Sequence, residues 1–384
     1  MNNSYKNKVL GSLVGGAVGD ALGYPVEFMT YNQIVQQYGQ SGITRYELNH
    51  RGVAEISDDT QMTLFTANGL LVAFTHYVRC EYLDTSPSDF VRQSYIEWYQ
   101  TQIGDIDHTK PHYNWIRDIN QLHARRAPGT TCMSALWALA QQSEVLNNSK
   151  GCGGIMRVAP IGLLAASPAN PHFNPYIPFH KKYAKEAGNL AFLTHKHPLG
   201  YIPAAFLSLL IEQIVPNAFM SRDQLHDCCD TCISTMREIY PSHASEIDYI
   251  HQLLQTAWFL ASSDNADFEA INQIGEGWVA EETLAIALYC VFKYPDNFEK
   301  AVVAAVNHSG DSDSTGAVTG NIMGALLGYE LIPEYYKEHL ELRWLIEEIA
   351  TDLATDISVI LHDGRCDTPE AQEWLRKYIK VVTQ

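Results

Sequence analysis

Apolar residues recur along this chain at steps of three and four positions, the spacing that places side chains on one face of an α-helix. The pattern is clear in five segments: QMTLFTANGLLVAF, CMSALWALAQQ, PAAFLSLLIEQI, EETLAIALYCVF and LRWLIEEIATDLATDISVIL. Alternating patterns bounded by hairpin turns, which are typical of strands, are almost absent. The sequence therefore predicts an all-α fold built from many helices packed compactly together.

Charge and hydrophobicity do not change abruptly along the 384 residues. We therefore expect a single domain over residues 1–384, in which helices of the segment 333–384 complete the packing. The segment 167–179 holds four prolines and is predicted to be irregular rather than a linker between domains.

Two apolar segments carry glycines at four-residue steps, which would place all the glycines of a segment on one stripe of a helix. They are Gly11, Gly15, Gly19 and Gly23 in the first segment, and Gly316, Gly320, Gly324 and Gly328 in the second. Such a stripe lets another backbone approach closely. Because neither run looks long and uncharged enough to span a membrane, we expect two buried helices of a soluble protein.

Acidic residues outnumber basic ones, 44 against 26, which gives a formal net charge of −18. Such a surface repels nucleic acid and anionic membranes, so neither is expected as a partner. The eight cysteines lie mostly in apolar runs and are typical of reduced core thiols in a cytoplasmic protein. Cys229 and Cys232 form a C-x-x-C, but no second pair completes a zinc site.

Two acidic clusters open apolar segments, ISDDTQM at 56–62 and NHSGDSDSTG at 307–316. One acidic or hydroxyl side chain would suffice to cap each helix, and adjacent carboxylates repel one another unless a cation lies between them. The second cluster does not fit an EF-hand loop, which would need glutamate at the position of Ile322. It also does not fit the D-x-D-x-T motif of the haloacid-dehalogenase phosphatases, which directly follows a buried strand. Oxygen donors alone favour a pair of Mg²⁺ or Mn²⁺ ions. The candidate ligands are Ser57, Asp58, Asp59, Asp311, Asp313 and Ser314.

Six segments in order resemble the ADP-ribosylglycohydrolase family: GSLVGGAVGDALGYPVEF, SDDTQM, SKGCGGIMRVAP, FLTHKHPLGYIPAA, GEGWVAEETLAIALY and NHSGDSDSTGAVTGNIMGALLG. The resemblance covers about residues 9–330. It implies a compact all-α fold with two Mg²⁺ or Mn²⁺ ions in a cleft, held by the two acidic motifs. It also implies a substrate in which ADP-ribose is attached to a protein.

The resemblance assigns roles residue by residue. Asp58, Asp59 and Glu27 would be catalytic. A glycine-rich substrate loop and its neighbours would contact the ligand through Gly151, Cys152, Gly153, Gly154, Met156 and Arg157, together with His195, Gly277 and Trp278. Cys152 stands where other members often carry Asn or Ser. Trp278 would either stack on the substrate or pack in the core, and Asp20 would be either a structural acceptor or a site residue.

The predicted activity is metal-dependent removal of ADP-ribose from a modified protein side chain, with N-linked arginine as the first choice. The alternatives are an O-linked, serine-type hydrolase, or an immunity protein that occludes an ADP-ribosyltransferase, with or without hydrolase activity. The expected partners are the ADP-ribosylated protein, the product ADP-ribose and, for the last alternative, a cognate transferase.

Overall fold

The structure is a computed structural model that describes residues 3–80, 86–107, 112–168, 179–361 and 366–379. Within these ranges the chain forms eighteen α-helices and six short 3₁₀ helices, and its β-pairing is limited to two isolated bridges. The α-helices are α1 Asn3–Gly23, α2 Tyr31–Tyr38, α3 Asp58–Cys80, α4 Pro87–Ile103, α5 Thr130–Ala140, α6 Ala159–Ala165, α7 Phe179–Phe192, α8 Pro198–Ile214, α9 Arg222–Ile239, α10 Ala244–Leu260, α11 Asp267–Ile274, α12 Ala280–Lys293, α13 Phe298–Val306, α14 Ser312–Leu327, α15 Glu334–His339, α16 Arg343–Leu353, α17 Ile357–Ile360 and α18 Pro369–Tyr378. The all-α prediction is confirmed. Most of the irregular segment, residues 169–178, lies outside the described ranges.

The glycine stripes of α1 and α14 face each other, and the two helices run antiparallel. A Cβ added to Gly19 would lie 1.9 Å from the Gly316 carbonyl oxygen, and one added to Gly320 would lie 1.9 Å from the Gly15 carbonyl oxygen. Only glycine permits this approach, because a real Cβ needs about 3.4 Å or more to such an atom. The packing brings the carboxyl end of α1 beside the amino end of α14.

The first glycine-rich run is buried, as predicted, but contrary to the prediction it is long and apolar enough for a membrane span. By length and composition the segment Ser4–Val26 could cross a membrane, with a mean hydropathy of 1.3 over its most apolar window. In this fold 83% of that window is buried inside the protein, mainly against α14 and α16. Burial of this extent is what a core helix shows.

The other long helices surround this central pair. α12 and α13 pack on α14, α8 packs on α12 and α7, and α3 lies against α4 and α16.

The C-x-x-C cysteines, Cys229 and Cys232, are free thiols buried on α9. Trp374 of α18 donates its indole N–H to the Thr75 hydroxyl of α3 at 2.8 Å. This hydrogen bond joins α18 to the carboxyl half of α3.

Candidate active site

Both acidic motifs line one cleft with a volume of about 250 Å³. α3 begins at Asp58, and Asp311 is the residue that caps α14, so each motif occupies the amino end of a helix. The lining residues are Glu27, Asp58, Asp59, Ala127, Gly129, Thr130, Thr131, Cys132, Gly151, Cys152, Gly153, Met156, His195, Trp278, Asp311, Asp313 and Ser314.

Asp20, at the carboxyl end of α1, fixes the start of α3. Its carboxylate accepts from the Ser57 N–H at 3.0 Å, from the Thr60 N–H at 3.1 Å and from the Thr60 hydroxyl. Burial raises the pKa of Asp20 to about 6, against the lowering effect of these hydrogen bonds. The sequence left two roles open for Asp20, and in the structure its carboxylate is occupied by backbone and hydroxyl donors behind the cleft.

The second motif is held by a sharp turn before α14. Gly310 has a φ of +136°, and an added Cβ there would lie 2.0 Å from the Glu276 carbonyl oxygen. The next residue, Asp311, donates its N–H to that same oxygen at 2.9 Å. The Ser314 N–H donates to the Asp311 carboxylate at 3.2 Å and to the Asp313 carboxylate at 2.9 Å. The acidic side chains are therefore directed by the helix cap and by the neighbouring loop.

Five buried carboxylates face one another across the cleft, and the described part of its lining contains no lysine or arginine. Burial raises the pKa of Glu27 to about 9, and the charges of Asp311 and Asp58 act in the same direction. Burial also raises the pKa values of Asp58, Asp59 and Asp313 well above the ordinary range, with the neighbouring carboxylates adding to the effect. Such a cluster is unfavourable unless protons or cations neutralise it.

Two oxygen atoms in this cluster are buried without a hydrogen-bond partner, Oε2 of Glu27 and Oδ1 of Asp59. One carboxylate oxygen from each of Glu27, Asp311 and Asp313 lies within 4.8 Å of the others. Glu27, which the sequence offered as a catalytic residue, thus lies among the candidate ligands as well. The set of donors is made of oxygen atoms, which suits a hard divalent cation.

Ser57, which the sequence offered as a metal ligand, lies directly beside Asp59. It is fully buried and does not line the cleft. Its hydroxyl accepts from the Asp59 N–H at 3.2 Å and lies 3.4 Å from an Asp59 carboxylate oxygen. Ser57 therefore supports Asp59 in this structure, whereas Ser314 is part of the lining.

The glycine-rich loop borders the cleft beside the second motif. Gly151 pairs with Val279, and the Cys152 N–H donates to the Trp278 carbonyl oxygen at 3.3 Å. Gly151, Cys152 and Gly153 line the cleft, but Gly154 does not. An added Cβ on Gly154 would meet Ala191 and the Gly200 carbonyl oxygen at 2.9 Å, so this glycine faces the protein interior.

Gly277 lies behind the lining rather than in it. Its φ is +81°, and its N–H donates to the Glu282 carboxylate at 3.2 Å. Its neighbour Trp278 is 37% exposed and stacks on Phe28, with ring centroids 5.7 Å apart. Of the two roles that the sequence left open for Trp278, core packing is excluded by this exposure. Phe28, itself 74% exposed, was not singled out from the sequence.

Arg157 does not wall the cleft, contrary to the expectation. It is fully buried, donates to the Leu190 carbonyl oxygen at 3.2 Å and to the Thr194 hydroxyl at 2.7 Å, and lies over the ring of Tyr95. The preceding residue, Met156, does line the cleft. The two side chains diverge because the chain turns sharply between the 3₁₀ helix Cys152–Gly154 and α6.

His195 lines the cleft with its imidazole ring. Its Nδ1 lies 2.9 Å from the hydroxyl of Thr194, which in turn accepts from Arg157. Burial lowers the pKa of His195 to about 3, with the charge of Arg157 adding to the effect. The low pKa favours the neutral ring at physiological pH, in which one nitrogen donates a hydrogen bond and the other accepts one.

The amino end of α5 forms a wall of the cleft that the sequence did not reveal. Ala127, Gly129, Thr130, Thr131 and Cys132 all line it. Gly129 precedes the helix and no side chain caps the first turn, so the positive end of the helix dipole is directed at the cleft. The available signal was the Pro-Gly-Thr-Thr run directly before the apolar segment CMSALWALAQQ.

Comparison with known proteins decides the family. The model of the ADP-ribosylglycohydrolase family matches residues 1–360. The chain belongs to this family. As an ADP-ribosylglycohydrolase family member, the protein is a hydrolase that acts on glycosidic bonds of ADP-ribose, and the resemblance drawn from the six sequence motifs is confirmed.

Several relatives align with this family member over most of its length. An ADP-ribosyl-[dinitrogen reductase] glycohydrolase of Rhodospirillum rubrum is 25% identical over 88% of this chain and 92% of its own. An ADP-ribosylhydrolase ARH3 of Danio rerio is 23% identical over 93% and 90%, respectively. An ADP-ribosylarginine hydrolase Tri1 of Serratia proteamaculans is 23% identical over 90% and 79%.

A solved structure of an ADP-ribosylglycohydrolase-related protein complex matches with a TM-score of 0.57. The match covers 92% of this chain and 99% of the other, at 22% sequence identity. At that identity the likeness shows the all-α fold of the ADP-ribosylglycohydrolases.

Proposed function

We propose that this ADP-ribosylglycohydrolase removes ADP-ribose from arginine side chains of modified proteins, and that it uses two Mg²⁺ or Mn²⁺ ions to do so. The observation that carries the proposal is the cleft in which two acidic motifs from distant parts of the chain face each other. Asp58, Asp59, Asp311 and Asp313 all line it, together with Glu27.

The residues present fit hard divalent cations. Two buried acceptor atoms, Glu27 Oε2 and Asp59 Oδ1, have no hydrogen-bond partner, and the lining residues that the structure describes include no lysine or arginine to neutralise the cluster. Carboxylate and hydroxyl oxygens are the ligands that Mg²⁺ and Mn²⁺ prefer. We therefore assign the ions to Asp58, Asp59, Asp311, Asp313, Ser314 and Glu27. Such ions, when bound, would orient the hydroxyls of the distal ribose and activate water.

The carboxylates of the chain contribute directly to the reaction. As the bond between the anomeric carbon and the arginine nitrogen breaks, positive charge grows on the sugar, and the buried anions stabilise it. A water molecule adds its hydroxyl to the anomeric carbon. Its proton passes to a cleft carboxylate (Glu27, Asp58 or Asp59) and from there to the leaving nitrogen. The products are ADP-ribose and unmodified arginine.

The pyrophosphate of the substrate is assigned to the opposite wall. The amino end of α5 favours an anion, because no side chain caps it and Gly129, Thr130 and Thr131 line the cleft at the positive end of the helix dipole. Gly151 and Gly153 leave room for a close approach of the backbone, and neutral His195 can donate or accept one further hydrogen bond. Trp278 and Phe28, stacked and exposed, offer an aromatic surface beside this wall.

The choice of arginine rests on charge and on one relative. The leaving guanidinium is cationic, and the cleft lining lacks lysine and arginine in the described ranges while the whole chain carries −18. The Serratia relative is named as an ADP-ribosylarginine hydrolase. An O-linked substrate has no positive charge on its leaving group and would gain less from this cleft.

The test is release of free ADP-ribose from two defined substrates, an arginine-modified protein and a serine-modified peptide. Each is incubated with the full-length protein in Mg²⁺, in Mn²⁺ and in EDTA. We expect turnover of the arginine substrate that depends on the cation and that exceeds turnover of the serine peptide. A preference for the serine peptide would overturn the assignment of the linkage.

Asp311→Asn and Asp58→Asn should each lower kcat by at least about 100-fold, since each removes a ligand and a transition-state anion. Asp227→Asn is the matched control, because Asp227 is an exposed acid on α9 outside the cleft. Full activity of either cleft variant, or full activity in EDTA, would contradict the proposed mechanism.

A further inference from the structure

An exposed pair of aromatic rings stands at the mouth of the cleft that the two acidic motifs line. Trp278 is part of the lining, and Phe28 directly follows Glu27, which is part of it as well. The two rings stack with their centroids 5.7 Å apart and an angle of 20° between their planes. Phe28 is nevertheless 74% exposed, so the face of its ring that is turned away from Trp278 is open to solvent.

Hydrogen bonds of the backbone hold this pair beside the cleft. Three residues after Phe28, the Tyr31 N–H donates to the hydroxyl of Ser309, which precedes the second acidic motif, at 2.9 Å. The Trp278 carbonyl oxygen accepts from the Cys152 N–H of the glycine-rich loop at 3.3 Å. The exposed ring of Phe28 is therefore carried by chain segments that are tied to both walls of the site.

Other aromatic rings of this protein carry an arginine side chain on one face. The guanidinium carbon of Arg222, for example, lies 4.2 Å from the ring centre of Trp258, which is the distance of a cation–π contact. Within the described ranges, no lysine or arginine of the chain lies over the ring of Phe28 in this way. A guanidinium that belongs to another molecule can therefore stack on this ring without displacing one of the protein's own.

We propose that the open face of Phe28 receives the guanidinium of the ADP-ribosylated arginine and so favours arginine over uncharged side chains. This inference rests on the proposed function and names the residue that recognises the protein side of the substrate. A protein cannot enter a cleft of about 250 Å³, so its modified side chain has to cross the mouth, where Phe28 lies. A guanidinium is planar and charged and stacks on aromatic faces, whereas a serine side chain has neither property.

The path from the reacting bond to this ring is short. One carboxylate oxygen of Glu27 lies within 4.8 Å of oxygens from Asp311 and Asp313, among the proposed ligands of the ions. Phe28 is the next residue along the chain. The leaving group of a ribose held at those ions is therefore close to the Phe28 ring.

The experiment measures steady-state hydrolysis of an arginine-modified protein by the full-length wild type, by Phe28→Leu and by Phe28→Tyr. Leucine keeps an apolar side chain without a π face, and tyrosine keeps the ring. We expect Phe28→Leu to raise KM about 5-fold, the effect of one partly exposed cation–π contact, and Phe28→Tyr to restore the KM of the wild type. The kcat should change less than KM, because the guanidinium gains no charge as the bond breaks.

Phe259→Leu is the matched control, because Phe259 is 72% exposed on α10 and does not line the cleft. Inhibition by free ADP-ribose, which lacks the guanidinium, shows which part of the substrate the ring contacts. In Phe28→Leu the inhibition constant of ADP-ribose should rise much less than KM. An equal rise in both constants, an unchanged KM in Phe28→Leu, or a KM in Phe28→Tyr as high as in Phe28→Leu overturns the inference.

Failure of this inference is distinguishable from failure of the proposed function. A wild type that prefers the arginine substrate to the serine peptide, together with an unchanged KM in Phe28→Leu, contradicts only the role of Phe28. A wild type that prefers the serine peptide, or that releases no ADP-ribose from modified arginine, contradicts the proposed function and this inference with it.

Discussion

Replacing Glu27 with glutamine should stabilise the metal-free protein and destabilise the metal-bound one in comparison with the wild type. Without cations, burial raises the pKa of Glu27 from 4.5 to about 9, and the charges of Asp311 and Asp58 add to the effect. The folded protein therefore keeps a proton that the unfolded chain releases above pH 4.5. Stability is lost as pH rises from the unfolded pKa to the folded one, and the amide removes that loss.

The size of the effect follows from the pKa. Each pH unit above 4.5 costs the folded state about 1.4 kcal/mol, which would give about 5 kcal/mol at pH 8. Because the carboxylate borders solvent in the cleft, screening reduces this to about 2–3 kcal/mol. In EDTA at pH 8, Glu27→Gln should gain this amount over wild type, and the gain should fall to about 1 kcal/mol at pH 6.

With saturating Mg²⁺ the order should reverse, because the cation would neutralise the cluster and Glu27 is one of its proposed ligands. The assay is urea unfolding followed by circular dichroism, in EDTA and in Mg²⁺, with Glu338→Gln as the control at an exposed position on α15. A Glu27→Gln variant that is less stable than wild type in EDTA, or that gains as much from Mg²⁺ as wild type does, would refute the reasoning.

Two other changes test the fold. Gly320→Ala should destabilise the protein by about 3 kcal/mol in urea unfolding, because its Cβ would lie 1.9 Å from the Gly15 carbonyl oxygen. Gly129→Ala is the control and should cost under about 1 kcal/mol, because an added Cβ there meets no atom within 4 Å. Equal costs would contradict the close packing of the two glycine stripes. Burial raises the pKa of Glu212 to about 7, so its carboxylate lowers the stability of the protein increasingly as pH rises from 4.5 to 7. The stability that Glu212→Gln gains over wild type should therefore be about 1 kcal/mol larger at pH 8.5 than at pH 6. A gain that is the same at both pH values would show that Glu212 titrates normally.

The main features of the fold were predictable because they depend on periodic patterns. The helical spacing of apolar residues predicted the all-α architecture, and the four-residue glycine step predicted close backbone contact. Which helix each stripe would face was not predictable, because a single sequence holds no information on pairs of segments. The surplus of carboxylates at two helix starts indicated a cation site, since capping alone does not need them.

Other features depend on where a side chain or a helix end points in the folded protein, and the sequence alone does not show this. Asp20 stands alone in an apolar helix, and nothing local shows that it reaches the start of α3. Arg157 follows Met156 directly, and only the turn between them decides that one faces the cleft and the other the interior. The start of α5 has the sequence of an ordinary helix terminus, and its role at the cleft follows from where the chain places it.

The central claim is that the two acidic motifs bind divalent cations between them. The direct measurement is anomalous X-ray scattering from a crystal of the active protein soaked in Mn²⁺. The account predicts two peaks in the cleft, within ligand distance of carboxylates from both Asp58–Asp59 and Asp311–Asp313. A fully active protein whose cleft shows no manganese peak would contradict the account.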